Sequence, residues 1–282
     1  MIDEVDVCLN GGFNDELKIV GDSITKPCLW VFATATLPDA VVEVVKQEFN
    51  NRVKIVRGAG LHKAAENLKV NIVDVSVPAP DMKKREVCLK KKTDNLLTAL
   101  RRYKCEKTLI FCNTIDSCRD VENFLHRNDR KRVLYNVNPY HGALSDVNLK
   151  RSLRSFTQSD EVKTAKTTTK MTETKTKTKT KTKTKAKAKP KVDQILVCTD
   201  RAARGVDFDR HPVDHVVIFD FPKDPAEYLR RCGRTGRAGR EGAVSVFCYG
   251  FQLPLARKLD DKIVDTGVKD RTDWGGDEVD FE

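Results

Sequence analysis

The stretch "KTLIFCNTIDSCRDVENFLHR", residues 107–127, decides the fold class of this chain. Its first six residues form a short apolar run, typical of a strand that is buried on both faces. The remainder has the apolar spacing of an amphipathic helix, and Thr114 is placed to cap that helix. A buried strand followed at once by a helix is the repeating unit of a parallel sheet with crossover helices. The stretch therefore predicts an α/β protein.

The same alternation recurs on both sides of this stretch. Apolar runs predict strands at 28–33, 70–77, 107–112, 132–137, 194–199, 213–220 and 243–248. Amphipathic spacing predicts helices at 39–49 (begun by Thr36 and Pro38), 81–101, 115–127, 145–156 and near 224–231. This order predicts a doubly wound parallel sheet.

The distribution of these elements predicts two domains of unequal completeness. Residues 70–262 contain enough strands and helices for one complete domain, whereas 1–56 offer about two strands where such a domain needs roughly five. We therefore expect 1–56 to be the C-terminal remnant of a first domain. The glycine-containing region 57–69 is predicted to be a linker, and 263–282 an acidic tail.

The positive charge of the chain belongs to one segment. The formal net charge is +11, and residues 163–191, with twelve Lys and one Glu, account for all of it. Alternating Lys and Thr cannot bury apolar surface, so 157–192 is predicted to be a disordered insertion. Two interpretations stay open: a basic tether that binds RNA weakly, or a repeat expansion in a tolerant loop or gene model. The insertion precedes the strand at 194–199, so we expect it to lie away from the ligand edge of the sheet.

Composition limits the compartment and the metal chemistry. No apolar stretch is long enough to span a bilayer, so no membrane association is expected. The nine cysteines are scattered and form no CxxC pair, which argues against a structural metal and for small buried hydrophobes. Such usage predicts an intracellular, reducing compartment, with nucleus, cytoplasm and organelle undistinguished.

The string "YLRRCGRTGRAGREG" (228–242) carries the sharpest chemical signal. Arg231, Arg234 and Arg237 recur every third residue among glycines, a density that disfavours a helix and predicts a tight loop. Guanidinium groups suit phosphate oxygens and stabilise the charge that develops in phosphoryl transfer. The alternative is a solvated basic turn.

Three further strings follow predicted strands. In "LVCTDRAARGVDF" (196–208), Asp207 is a candidate for a ribose hydroxyl, whereas Asp200 is predicted to cap a helix. "LIFCNT" (109–114) ends with polar residues at a helix N-terminus, where backbone N–H groups bind phosphate. "FATATLP" (32–38) supplies the hydroxyls of Thr34 and Thr36, which are able to bond a neighbouring carboxylate.

Together with "DEVD" at residues 3–6, these strings resemble the DEAD-box RNA helicase family in order and spacing up to about residue 250. The resemblance implies two RecA-like domains that close on ATP and single-stranded RNA, with hydrolysis of ATP. It implies that Asp3 holds Mg²⁺ through water and that Glu4 orients the attacking water. It further implies that Asp207 holds ribose and that Arg234 and Arg237 act as arginine fingers.

The resemblance also implies the residues that bind RNA and the residues that couple the domains. The RNA set, which would contact the backbone with little sequence preference, is Asn113, Thr114, Thr199 and Gly142. The coupling set, in which Asp6 would contact both threonine hydroxyls, is Asp6, Thr34, Thr36, Arg230 and Arg231. Arg230 stands where the family has His, which predicts altered coupling. Asp146 and Leu149 replace residues that commonly contact RNA.

The 282 residues contain no GxxxxGK[S/T] phosphate loop. Since the acidic motif begins at residue 3, we expect an incomplete helicase chain with negligible ATPase activity of its own. The alternative is a non-catalytic module that binds RNA or a helicase partner through its second domain. The sequence does not identify a protein partner.

Overall fold

The computed structural model of the protein contains one six-stranded sheet. The structure describes residues 1–10, 13–34, 36–37, 39–57, 67–78, 81, 84–103, 105–157, 192–200, 206, 208 and 211–260. The strands are β1 (Leu68–Asp74), β2 (Lys107–Cys112), β3 (Tyr135–Tyr140), β4 (Asp193–Thr199), β5 (His215–Ile218) and β6 (Gly242–Cys248). They lie in the order β1-β6-β5-β2-β4-β3, and every neighbouring pair is parallel.

Helices occupy most of the remaining described chain. The helices are α1 (Val5–Asn10), α2 (Asn14–Ser23), α3 (Asp39–Glu48), α4 (Arg85–Arg102), α5 (Ile115–Asn128), α6 (Asp146–Thr157), α7 (Pro225–Cys232) and α8 (Leu253–Asp260). Two short 3₁₀ turns follow α7 and β6, at Arg237–Gly239 and Gly250–Gln252. The predicted α/β class and doubly wound parallel sheet are confirmed.

The core forms where helices cover the central strands. All six residues of β2 are buried, as expected of a strand in a parallel sheet covered on both faces. Leu96 and Leu100 of α4 and Leu125 of α5 pack into the same apolar cluster as Ile110. Six of the nine cysteines are also buried, which agrees with their predicted part as small hydrophobes. Among the described helices, none is long and apolar enough to cross a membrane.

Several predicted boundaries are wrong, and the reason is identifiable for β3. Residues 28–33 form no strand beyond a single parallel bridge between Phe32 and Ile2. β3 begins at Tyr135 rather than 132, because the Asp129 carboxylate accepts the backbone N–H groups of Val133, Leu134 and Tyr135 and holds a turn there. The helices α1, α2 and α8 were not predicted.

Contacts divide the chain into two compact units. The first comprises Met1–Glu66, Asp224–Arg230 and Arg257–Glu282, and the second comprises Asn67–Lys223 and Arg231–Ala256. The first contains α1–α3 and a ring cluster of Trp30, Phe32 and Phe49. The second contains the sheet, and the last two residues of the predicted linker 57–69 belong to β1. The domain boundaries stay predictions. The segments 158–191 and 261–282 lie outside the described residues.

Candidate functional site at the carboxyl edge of the sheet

The four residues of the predicted RNA set lie at the carboxyl ends of three neighbouring strands. Asn113 and Thr114 follow β2, Thr199 ends β4, and Gly142 lies two residues after β3. The sheet order β2-β4-β3 places these ends side by side. Since neighbouring strands are about 4.8 Å apart, the row is roughly 10 Å long. The carboxyl edge of an open α/β sheet is where ligands bind.

The row presents polar atoms and open space. The Thr114 hydroxyl accepts the backbone N–H of Ser117 at 3.1 Å, so the predicted cap of α5 is confirmed. Asn113, Thr114 and Gly142 are exposed, and a Cβ built on Gly142 would meet nothing within 4 Å. A helix N-terminus with exposed N–H groups suits an anionic ligand such as a phosphate.

A buried arginine holds the row in place. The side chain of Arg231 is 1% exposed. Its Nε donates to Asp200 Oδ1 at 2.7 Å, its Nη1 donates to the Asp220 carbonyl oxygen at 2.6 Å, and its Nη2 donates to Asn113 Oδ1 at 2.7 Å. Nη2 also contacts Asp200 Oδ2. Asp200, which the sequence predicted to be a helix cap, therefore binds a buried guanidinium.

Asp220 extends this network toward α4. Its Oδ2 accepts the backbone N–H of Asn113 at 3.0 Å and the hydroxyl of Ser117 at 2.6 Å, while Lys92 Nζ donates to its Oδ1 at 2.6 Å. Burial opposes ionisation of this carboxyl, but the Lys92 ammonium and these hydrogen bonds keep the pKa of Asp220 below its ordinary value. Sequence reasoning missed Lys92 and Asp220. The only signal was an acidic residue at the end of the predicted strand 213–220.

The arginine loop, residues 233–241, lies at the opposite, amino edge of the sheet. The Thr235 hydroxyl donates to the carbonyl oxygen of Val213, two residues before β5. The side chain of Asn67, one residue before β1, donates to the carbonyl oxygen of Gly236 at 2.8 Å. Gly236 has φ +68°, and a Cβ there would lie 2.5 Å from Leu68 Cδ2. The loop is thus tight, as predicted.

The structure separates the three arginines of the loop motif. Arg231 lies in the carboxyl-edge network, whereas Arg234 and Arg237 belong to the loop at the amino edge. Arg234 Nη1 donates to the carbonyl oxygen of Val206 at 3.4 Å, and Arg237 Nε donates to that of Gly233 at 2.8 Å. Both side chains are half-buried. The predicted ribose residue, Asp207, lies outside the described residues.

In the first unit, the acidic motif ends in a buried carboxylate. Asp6 is 6% exposed and accepts the Thr34 hydroxyl at 2.8 Å and the Thr36 hydroxyl at 2.5 Å. Arg230 Nη1 donates to the same carboxylate at 2.8 Å. The predicted contact of Asp6 with both threonines is confirmed. Thr36 uses its hydroxyl on Asp6 rather than to begin α3.

Asp3 and Glu4 are the more accessible carboxylates of the motif. Asp3 is exposed and its Oδ1 accepts the backbone N–H of Glu4 at 2.9 Å. Among the described residues, no group of three or more His, Cys, Asp or Glu side chains is placed to hold a metal ion. Mg²⁺ is usually held by one or two carboxylates together with substrate phosphates and water, and Asp3 has the oxygen chemistry for that kind of binding.

The parallel sheet, with its row of polar strand ends and its arginine loop, defines a RecA-like helicase domain. The model of the helicase conserved C-terminal domain matches residues 160–239. The chain belongs to the DEAD-box ATP-dependent RNA helicase family. It is 34% identical over 262 residues to DEAD-box ATP-dependent RNA helicase 50 of Arabidopsis thaliana, a match that covers 92% of this chain and 29% of that protein. It is also 34% identical to the Oryza sativa protein of the same name, a match that covers 92% of this chain and 36% of that protein.

Solved structures share the fold. Saccharomyces cerevisiae Dbp5 bound to RNA and ADP BeF₃ matches with a TM-score of 0.65 at 22% identity, over 93% of this chain and 56% of that one. Mss116p bound to single-stranded RNA and AMP-PNP matches with a TM-score of 0.57 at 23% identity, over 92% of this chain and 45% of that one. The chain therefore spans about a third of the length of its curated relatives and about half of these structures.

Proposed function

We propose that this chain acts in an ATP-dependent RNA helicase, and that its second unit binds the RNA backbone along the carboxyl edge. One observation carries the proposal: Asn113, Thr114, Thr199 and Gly142 lie at the carboxyl ends of three strands that are neighbours in the sheet. Exposed N–H and hydroxyl groups in such a row suit successive phosphates of a single strand. The names of the relatives, and the RNA in the matched complexes, support this ligand.

In this proposal the buried network positions the RNA row. Arg231 joins the ends of β2, β4 and β5, and it fixes the Asn113 side chain through Oδ1. The Asn113 Nδ2 donates in turn to the carbonyl oxygen of Phe221 at 2.9 Å. Both ends of this amide are occupied, and the Asn113 backbone N–H donates to Asp220 Oδ2, so Asn113 shapes the row rather than donating to RNA itself. We therefore assign Arg231 to positioning the row, in place of coupling between domains.

The remaining motif residues would serve the nucleotide. Arg234 and Arg237 are proposed to act on the γ-phosphate of ATP, Asp207 on its ribose, and Asp3 on Mg²⁺ through water. Glu4 would orient the attacking water, and Asp6 with Thr34, Thr36 and Arg230 would couple this site to RNA. Mg–ATP, when bound, would supply the phosphoanhydride bond that water cleaves to give ADP and phosphate. The distinct position of the arginine loop, at the amino edge, supports separate nucleotide and RNA contacts.

A charge substitution at Gly142 tests the proposed RNA row. Because a Cβ at this position would meet nothing within 4 Å, Gly142→Asp introduces a carboxylate at an open point of the row. We expect it to weaken binding of a labelled oligouridine, measured by fluorescence anisotropy, by about five- to tenfold, since the carboxylate repels the phosphates. Gly142→Asn should bind nearly as the parent does. Gly21→Asp is the matched control, because a Cβ at Gly21 also meets nothing within 4 Å.

The outcome that contradicts the proposal is equally specific. If Gly142→Asp and Gly21→Asp reduce affinity equally, the added charge acts through the whole molecule and the row does not bind RNA. The Lys-rich insertion attracts any polyanion, so the comparison is made over a range of salt concentrations. The loss of RNA affinity in Gly142→Asp should persist at salt concentrations that screen the charge of the insertion.

The second candidate function is the non-catalytic RNA- or helicase-binding module. The observation that favours it is the lack of a GxxxxGK[S/T] motif in the 282 residues. Phosphate release by the purified chain, with and without RNA, separates the two. We expect the chain to bind RNA with no ATP turnover above the background of a buffer control. RNA-stimulated turnover that is lost in Arg237→Ala would show that the chain is itself catalytic.

A further inference from the structure

An exposed aromatic pair stands at the carboxyl end of β6. The rings of Tyr249 and Phe251 are stacked, with centroids 6.0 Å apart and planes inclined by only 8°. Phe251 is 70% exposed, whereas Tyr249 is half-buried. The outer ring of the pair is therefore flat, supported from one side and accessible to solvent. None of the motifs in the sequence accounts for it.

The pair is rigidly mounted. The Tyr249 backbone N–H donates to Gln252 Oε1 at 3.0 Å, and the Gln252 N–H returns to the Tyr249 carbonyl oxygen at 2.8 Å. Between them, the Gly250 N–H donates to the Ser76 hydroxyl at 2.6 Å. Beneath the pair, Lys92 Nζ lies 5.3 Å from the centroid of the Tyr249 ring. A ring held in this way loses little conformational freedom when a ligand stacks on it.

The pair lies on the same edge as the proposed RNA row and is joined to it by contacts. Lys92, which approaches the Tyr249 ring, donates to Asp220, and Asp220 accepts the backbone N–H of Asn113. Phe251 thus extends the row past β5 to β6.

We propose that Phe251 is a stacking platform for a nucleobase of single-stranded RNA. The inference rests on the proposed function, because the RNA must run along the carboxyl edge to reach it. A planar base stacks on an aromatic face whatever its sequence, which suits a ligand recognised by its backbone. The turn that carries the ring is held by polar groups, the Ser76 hydroxyl and the Gln252 side chain, and this favours a base with phosphates over an apolar protein surface.

The test compares two probes of equal length on the full chain: labelled oligouridine, and an abasic oligonucleotide that keeps the phosphates but has no bases. Phe251→Ala should weaken oligouridine binding about tenfold and leave abasic binding within about twofold. Phe251→Trp should retain affinity, and its indole fluorescence should be quenched by oligouridine alone. Phe13→Ala is the matched control, because Phe13 is an exposed aromatic residue of the first unit.

Each outcome separates this proposal from the RNA row. If Gly142→Asp weakens binding and Phe251→Ala does not, the platform is refuted and the row stands. If Phe251→Ala weakens both probes equally, the ring does not stack on a base, and the platform is again refuted. If Phe251→Ala acts on oligouridine alone while Gly142→Asp has no effect, the ring stacks on a base without the row, and the proposed path of RNA along the carboxyl edge is refuted. A parent chain that binds neither probe refutes both.

Discussion

Replacing Arg231 is the most informative perturbation of the second unit. Arg231→Met removes a guanidinium that is 1% exposed while nearly keeping the volume of its stem. The substitution leaves the Asp200 carboxylate, the Asp220 carbonyl oxygen and Asn113 Oδ1 without their donor. Removing one partner of a buried ion pair typically costs about 3–5 kcal/mol, because the remaining charge is uncompensated.

The geometry places the expected cost at the lower end of that range. The Asp200 side chain is 21% exposed, so water can partly replace the lost donor. We therefore expect a loss of about 3 kcal/mol in the free energy of unfolding, roughly a 150-fold change in the folded-to-unfolded ratio. The assay is urea unfolding followed by circular dichroism. Arg231→Lys keeps the charge but not the planar guanidinium group, so its free energy of unfolding should lie between those of the parent and Arg231→Met.

Arg119→Met is the matched control for this measurement. Arg119 is 56% exposed and pairs with Asp116 at 3.3 Å on the surface of α5. Exposed pairs of this kind contribute about 0–1 kcal/mol, so this variant should unfold almost as the parent does. If Arg231→Met is no less stable than Arg119→Met, the network does not hold the strand ends together, and the positioning argument fails.

Two further predictions concern the sheet and the arginine loop. Burial lowers the pKa of His215 to about 4, from 6.5 in the unfolded chain, so its stabilising contribution is present above pH 6.5 and is lost as pH falls toward 4. From pH 8 to pH 5 this amounts to about 2 kcal/mol of unfolding free energy, and His215→Gln should flatten that part of the pH–stability curve measured by urea unfolding. In the loop, Gly236→Ala should lower the melting temperature more than Gly239→Ala. Both residues have positive φ, but only the first would place a Cβ against Leu68, at 2.5 Å; equal losses would mean that backbone strain alone sets the cost.

The sequence predicted local structure well wherever one segment determined it. The apolar run at 107–112 matched β2, and Thr114 marked the start of α5, because burial on both faces and a side-chain cap leave local patterns. β3 began three residues late because a carboxylate, Asp129, held the preceding turn. No apolar pattern reports such a hydrogen bond.

The candidate site was predictable in part. Resemblance to a family supplied the contact of Asp6 with Thr34 and Thr36, which the structure confirms. The contact between Arg231 and Asn113 joins residues 118 positions apart, and sequence spacing alone does not place two such residues together. The same limit explains why Lys92, Asp220 and Phe251 were missed. Each acquires its place only when β6, β5 and β2 lie side by side.

Crosslinking of RNA to the intact chain tests the central claim most directly. An oligouridine that carries 4-thiouridine is irradiated in complex with the protein, and crosslinked peptides are identified by mass spectrometry. Binding along the carboxyl edge predicts crosslinks in the segments 113–117 and 140–144. In Gly142→Asp, the yield of crosslinks in these two segments should fall. Crosslinks confined to the Lys-rich residues 163–191 would contradict the account, because RNA would then be held by charge alone.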